Sequence, residues 1–228
     1  MKLGLLFSGG KDSMLAGFIA DKYGHDLSCL ISILSENKNS FMFHTPSVSN
    51  VEVQAEALEV PILIKKTKGE KEIELDDLKN IINRAKSEYG IKGIITGAVL
   101  SVYQASRIQR ICNELELEVF NPLWQKNQEE ILKELIDNNF DVRVVGVFAY
   151  PLTKVWLGRP VDKNYIDEVK KLSEKFGISI AGEGGEFESF VLDCPLFKKK
   201  IKMIEFEDSC DGENSCRREL KLRVIENE

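Results

Sequence analysis

No apolar run in the 228-residue sequence approaches the ~18 residues that cross a bilayer, which excludes a membrane-spanning helix on hydropathy grounds. Met1-Lys2 leads directly into a strand-like run without signal-peptide architecture, so a cytoplasmic protein is expected. A basic excess is also missing. Lys and Arg total 31 against 37 Asp and Glu, a net charge of -6, and no stable nucleic-acid binding is expected. The five cysteines, Cys29, Cys112, Cys194, Cys210 and Cys216, are odd in number and contain no CxxC pair. Neither a disulfide framework nor a zinc site is indicated. Cys210 and Cys216 flank a polar turn between strand-like runs, and a bridge across that hairpin is the less expected state in the cytoplasm. Internal repeats and low-complexity segments are absent. What remains is 43% hydrophobic residues, ample for a sizeable core.

The first half alternates strand and helix signals: strand 3–7, helix 11–22, strand 27–34, helix 48–58, strand 61–64, helix 73–89, strand 92–97, helix 103–115. This βα series predicts an α/β fold with a parallel sheet and helices on both faces. Asn121-Pro122-Leu123-Trp124 marks a boundary between a domain over 1–121 and a second over 122–228. The second half reads helix 127–137, strand 142–149, helix 162–176, a glycine-rich loop, and strands near 188–192, 201–206 and 219–225.

Three stretches carry chemistry. Ser8-Gly9-Gly10-Lys11-Asp12-Ser13 lies where the first strand hands over to a helix. Backbone N–H groups at such a junction have no helical partners and face partial positive charge, which suits phosphate oxygens. Gly9 and Gly10 let phosphate approach the backbone, Ser8 and Ser13 add hydroxyls, and Lys11 adds a cation. Asp12 would repel phosphate unless a divalent cation intervened, so it implies Mg2+. The spacing fits neither the Walker pattern nor GxGxxG. Gly182-Glu183-Gly184-Gly185-Glu186-Phe187-Glu188 places three carboxylates in seven residues, tolerable if solvated, bound to cations, or used at a raised pKa. Gly97 ends a strand at the presumed ligand edge, and Ser101 is a good N-cap for a helix carrying Tyr103, Gln104 and Arg107. Arg107 lies one turn beyond Tyr103, so the two share a face. Leu34 at the end of the second strand and Phe43 in the aromatic loop after it are further nucleotide contacts to test.

SGGKDS resembles the PP-loop of the ATP pyrophosphatases, which split ATP between its α and β phosphates. With FMFHTP at 41–46, GAVLSVYQASRIQRICNELELEVFNPLW at 97–124 and GEGGEFESFVLDCPLF at 182–197, the chain is similar to the diphthine-ammonia ligase family of that superfamily over nearly its whole length. Ser189 stands where the family usually has threonine, and Phe41 where it often has tyrosine. The resemblance implies a Rossmann-like, HUP-type sheet followed by a smaller α+β domain. It also implies ATP-dependent amidation of diphthine on translation elongation factor 2 with ammonium, through an acyl-adenylate, releasing AMP and pyrophosphate. The implied ATP contacts are residues 8–13, Leu34, Phe43 and Gly97. Tyr103, Gln104, Arg107, Gly184 and Gly185 would bind substrate. Lys11 and Asp12 would stabilise the leaving pyrophosphate, with Mg2+ at Asp12, while Glu183, Glu186 and Glu188 would gather ammonium and take its proton, Mg2+ binding being their alternative role. Trp124 and Trp156 are candidates, by residue type, for the trimethylammonium group of diphthine. The Lys198-Lys199-Lys200 run is a solvated strand end or a docking patch for the protein substrate. Competing readings are another PP-loop adenylating enzyme, acting on tRNA or a small carboxylate, and an adenine-nucleotide sensor without turnover. Oligomeric state is not readable, a homodimer being among the states allowed.

Overall fold

A computed structural model describes residues 1–35, 50–68 and 73–226. The first half builds a five-stranded parallel sheet from β1 (Lys2–Leu6), β2 (Asp26–Ser35), β3 (Ile62–Thr67), β4 (Gly93–Ile95) and β5 (Glu118–Phe120), in the order β3-β2-β1-β4-β5. Every pairing is parallel. Side chains alternate across such strands, and β2 shows the consequence: Leu30 joins one core, while Cys29, Ile31 and Ile33 join the core on the opposite face. Helices α1 (Lys11–Lys22) and α2 (Val51–Leu58) cover the first face; α3 (Ile73–Tyr89) and α4 (Val102–Glu114) cover the second.

The second half adds α5 (Gln128–Asp137), β6 (Asp141–Val147), α6 (Lys163–Phe176), β7 (Phe187–Asp193), β8 (Lys200–Cys210) and β9 (Cys216–Ile225). The four strands form an antiparallel sheet, β7-β6-β9-β8. Helices α1 and α3 have the bounds expected from the sequence, and most others agree within two residues. Strand β5 ends just ahead of Pro122, and β8 runs to Cys210, past the expected 206, because its hairpin with β9 stays paired up to the turn. Residues 48 and 49 of the expected second helix lie outside the described residues, as do Phe41 to Pro46 and with them Phe43. A disulfide joins Cys210 to Cys216, the state the sequence made less expected; hairpin pairing sets these two residues opposite each other.

The two sheets share a core. Leu3, Leu5, Met14, Leu15 and Val51 pack in one cluster with Val142, Val144, Tyr165, Phe187 and Val191. β1 and β4 are neighbours whose following helices cover opposite faces, so their C-terminal ends open a crevice at the point where the winding reverses. No helix among the described residues is long and apolar enough to cross a membrane.

Candidate active site at the end of the first strand

The 8–13 turn leaves β1 and enters α1 in the conformation its glycines permit. Gly9 has φ of +78°, a left-handed value that a side chain would strain. The Ser13 hydroxyl donates to the Gly10 carbonyl at 3.1 Å and accepts from the Ser8 N–H at 3.3 Å, closing the turn on itself. Gly97, at the end of β4, is glycine for a different reason: a β-carbon there would stand 2.7 Å from the carbonyl carbon and oxygen of Asp12. The loop after β4 therefore lies directly against the start of α1.

Lys11 is almost wholly buried, and its Nζ meets Asp12 Oδ2 at 2.7 Å. The other Asp12 oxygen, Oδ1, is buried without a hydrogen-bond partner among the described residues. Near this pair is Glu183, and the backbone N–H of Leu100 lies close enough to its carboxylate to favour the charged form. Burial, followed by the nearby Asp12 charge, raises the Glu183 carboxyl to about 7, with Lys11 acting in the opposite direction. Three loops thus converge on one spot: 8–13 after β1, 97–101 after β4, and 179–186 ahead of β7.

The three glutamates read together in the sequence are separated by the fold. Glu186 accepts the N–H of Ser179 at 2.7 Å on one oxygen and the N–H of Gly184 at 2.9 Å on the other, so it closes the acidic loop from inside. Glu188 sits on β7, where alternate residues face opposite ways. Phe187, Ser189 and Val191 face α1 and the main core, while Phe190 joins Val145 and Leu220 in a separate cluster. Glu188 shares the side of Phe190, away from Lys11. Its burial pushes the carboxyl up to about 8 against the opposing influence of Arg217. Only Glu183 of the three stands with Asp12 and Lys11, and no cluster of three metal-ligating acidic, His or Cys side chains occurs among the described residues.

The other expected residues lie on several separate elements. Leu34 lies near the C-terminal end of β2 and packs, half-buried, against the main core. Ser101 caps α4 as expected, accepting the Gln104 N–H at 3.2 Å. Arg107 stacks on the Tyr103 ring at 3.4 Å and donates to the Tyr103 carbonyl at 3.3 Å, so these two do share a face. Gly185 has φ of +82° in the acidic loop, and Gly184 donates its N–H to Glu186. Trp156 is buried against Tyr165 and beneath Arg159, a packing position, and Trp124 is half-buried.

Sequence reasoning missed the residues that hold the loops in place. Gln128 Oε1 accepts the Ser179 hydroxyl at 2.6 Å and the Ala181 N–H at 2.8 Å, and Ser179 Oγ accepts the Glu183 N–H at 2.8 Å. Ser189 Oγ accepts the Lys11 N–H at 3.2 Å. Gln54 bonds Gly9 and Val191. Its one signal was a long polar side chain beside Ala55 and Leu58 on the apolar side of a helix; nothing in the sequence marked Gln128 or Ser179.

Residues 1–119 match the family model described as the diphthamide synthase N-terminal domain, and residues 127–221 match the diphthamide synthase C-terminal domain. The chain is 34% identical over 222 residues to the diphthine–ammonia ligase of Bos taurus and, to the same extent, that of Homo sapiens, covering 88% of this chain and 82% of each relative. Among solved structures it is similar to a predicted subunit of tRNA methyltransferase from Methanocaldococcus jannaschii, at 18% identity and a TM-score of 0.42, covering 86% of this chain and 98% of that one. A likeness that distant carries no functional argument.

Proposed function

The chain belongs to the diphthamide synthase family, and from that premise we propose that the crevice at the ends of β1 and β4 amidates diphthine with ammonia at the expense of ATP. It is an ATP-dependent carbon–nitrogen ligase. The division of labour follows the two sheets: residues 1–121 carry the nucleotide and residues 122–228 the substrate side. The protein substrate is translation elongation factor 2, and the setting is cytoplasmic.

A carboxylate is a poor electrophile toward ammonia, so the diphthine carboxylate must first acquire a leaving group. Its attack on the α-phosphorus of ATP gives an acyl-adenylate and frees pyrophosphate. The N–H groups of the 8–13 turn and the Lys11 ammonium are placed to hold the charge that develops on the departing oxygens. Asp12 fits Mg2+: one oxygen is committed to Lys11, and the other is buried without a partner among the described residues. Mg2+ held by Asp12 would supply positive charge to offset the charge developing on the departing pyrophosphate. Ammonia then displaces AMP. At neutral pH most of it is ammonium, and a base near pKa 7 can take its proton; Glu183 is that base.

The observation that carries this reading is the meeting of Glu183 with Asp12 and Lys11, which brings the acidic loop of the second half onto the phosphate turn of the first. The test separates the half-reactions. With diphthine-bearing elongation factor 2, ATP and Mg2+, Glu183→Gln is expected to slow amidation by about 10²-fold while leaving pyrophosphate release much less affected. Equal losses in both half-reactions would remove Glu183 from the ammonia step. Glu186→Gln is expected to impair both together, because its carboxylate holds the loop rather than the ammonium.

A further inference from the structure

The Gly9–Gly10 peptide decides where one amide of the phosphate turn points. Peptide groups are planar and trans, so the Gly9 carbonyl and the Gly10 N–H project in opposite directions. The carbonyl is held from the protein interior by two donors, Gln54 Nε2 at 3.0 Å and the Val191 N–H at 3.2 Å. The Gly10 N–H is thereby turned toward the exposed side, where it makes a long 3.4 Å contact to the Ser8 hydroxyl.

Among the described residues, Gln54 supplies the side-chain bond to that carbonyl. It projects from α2, is fully buried, and its Nε2 also donates to the Val191 carbonyl at 2.7 Å. One amide group therefore ties α2, the phosphate turn and the outer strand of the second sheet. Its Oε1 is buried without a partner among the described residues and lies 2.4 Å from where a β-carbon on Gly9 would stand. A buried acceptor left unsatisfied is unfavourable, and an apolar side chain of similar length would avoid it. What an apolar side chain cannot do is hold two carbonyls.

We propose that Gln54 is a positioning residue for the nucleotide phosphates: by clamping the Gly9 carbonyl it aims the Gly10 N–H at the β- and γ-phosphates of ATP. This rests on the reading of the 8–13 turn as the ATP phosphate site. A purely structural glutamine would affect all ligands alike, whereas an amide aimed at pyrophosphate affects only ligands that carry it.

The test is calorimetric titration of the full chain with Mg2+ and, separately, ATP, pyrophosphate and AMP. Gln54→Met is expected to weaken ATP and pyrophosphate about tenfold, the scale of one hydrogen bond to a charged group, with AMP unchanged. Gln54→Glu keeps the shape but sets a carboxylate against two carbonyls, so its loss for ATP and pyrophosphate is larger; it also serves if Gln54→Met does not fold. Leu58→Ala, a cavity in the same helix, is expected to lower Tm without changing the ratio of ATP to AMP affinity. Equal weakening of all three ligands, unaltered pyrophosphate binding in folded Gln54 variants, or the same selectivity in Leu58→Ala would overturn the proposal. Failure of the wild type to bind ATP or pyrophosphate would instead overturn the reading of the turn on which it depends.

Discussion

At Glu183, burial and the Asp12 carboxylate hold the proton to about pH 7, so under the proposed role the basic form grows in where ammonium would be deprotonated. The amidation rate of the wild type is expected to rise with pH through about 7, and Glu183→Gln to lose that inflection; pH-rate profiles of single-turnover amidation check this. Glu188 has a raised pKa without the same placement, and its consequence is for stability. Its proton stays on to about pH 8 in the folded chain but leaves near the ordinary value of 4.5 when unfolded. Between those values the native state binds more protons than the unfolded state, so stability falls as pH rises through the window and levels off above it. Glu188→Gln abolishes that fall. Its Tm relative to the wild type is expected to increase from about pH 5 to about pH 9, in thermal melts across that range, with the variant the more stable at the top.

Elements meet in this molecule through close backbone approaches and caps. The β4–α1 contact admits no side chain at Gly97, because a β-carbon would meet the backbone of Asp12 and Ser13 rather than the movable end of a side chain. Gly97→Ala is expected to cost roughly 1–3 kcal/mol and to weaken ATP binding by shifting the phosphate turn, readable by denaturant unfolding and nucleotide titration. Helix α6 tests the opposite case. Asp162 caps it by accepting the Tyr165 N–H at 2.8 Å, far from the phosphate turn in the chain. Asp162→Ala is expected to cost about 1 kcal/mol while leaving ATP affinity unchanged. Both helices were expected from the sequence, over 11–22 and 162–176, and Gly177 ends α6 at φ of +73°.

Across the whole molecule the sheets differ in type but not in core. Strand β7 lies beside the 8–13 turn, where Ser189 and Val191 bond Lys11 and Gly9, and the side chains of both halves interlock in one apolar cluster. Unfolding is therefore expected to be a single cooperative transition, with calorimetric and van't Hoff enthalpies equal. Cutting the connection near residue 122 is expected to leave a 1–121 fragment that does not fold alone, checked by circular dichroism of that fragment. Two separate transitions would show instead that the shared cluster contributes little to either half.

Local order along the chain, taken by itself, determined the α/β alternation, the glycine turn at 8–13, the Ser101 cap and the pairing of Tyr103 with Arg107. Each depends on neighbours in sequence, on periods of two or 3.6 residues, or on the φ values that glycine permits. Tertiary structure alone decided which of three neighbouring glutamates reaches Asp12. In strand geometry Glu188 turns to the face opposite Ser189, and in the loop Glu186 spends both oxygens on backbone N–H groups, so proximity in sequence did not become proximity in space. It also decided the roles of Gln54, Gln128 and Ser179. Their partners lie 45 to 137 residues away for Gln54 and 51 for the pair Gln128 and Ser179, separations over which no local pattern carries information.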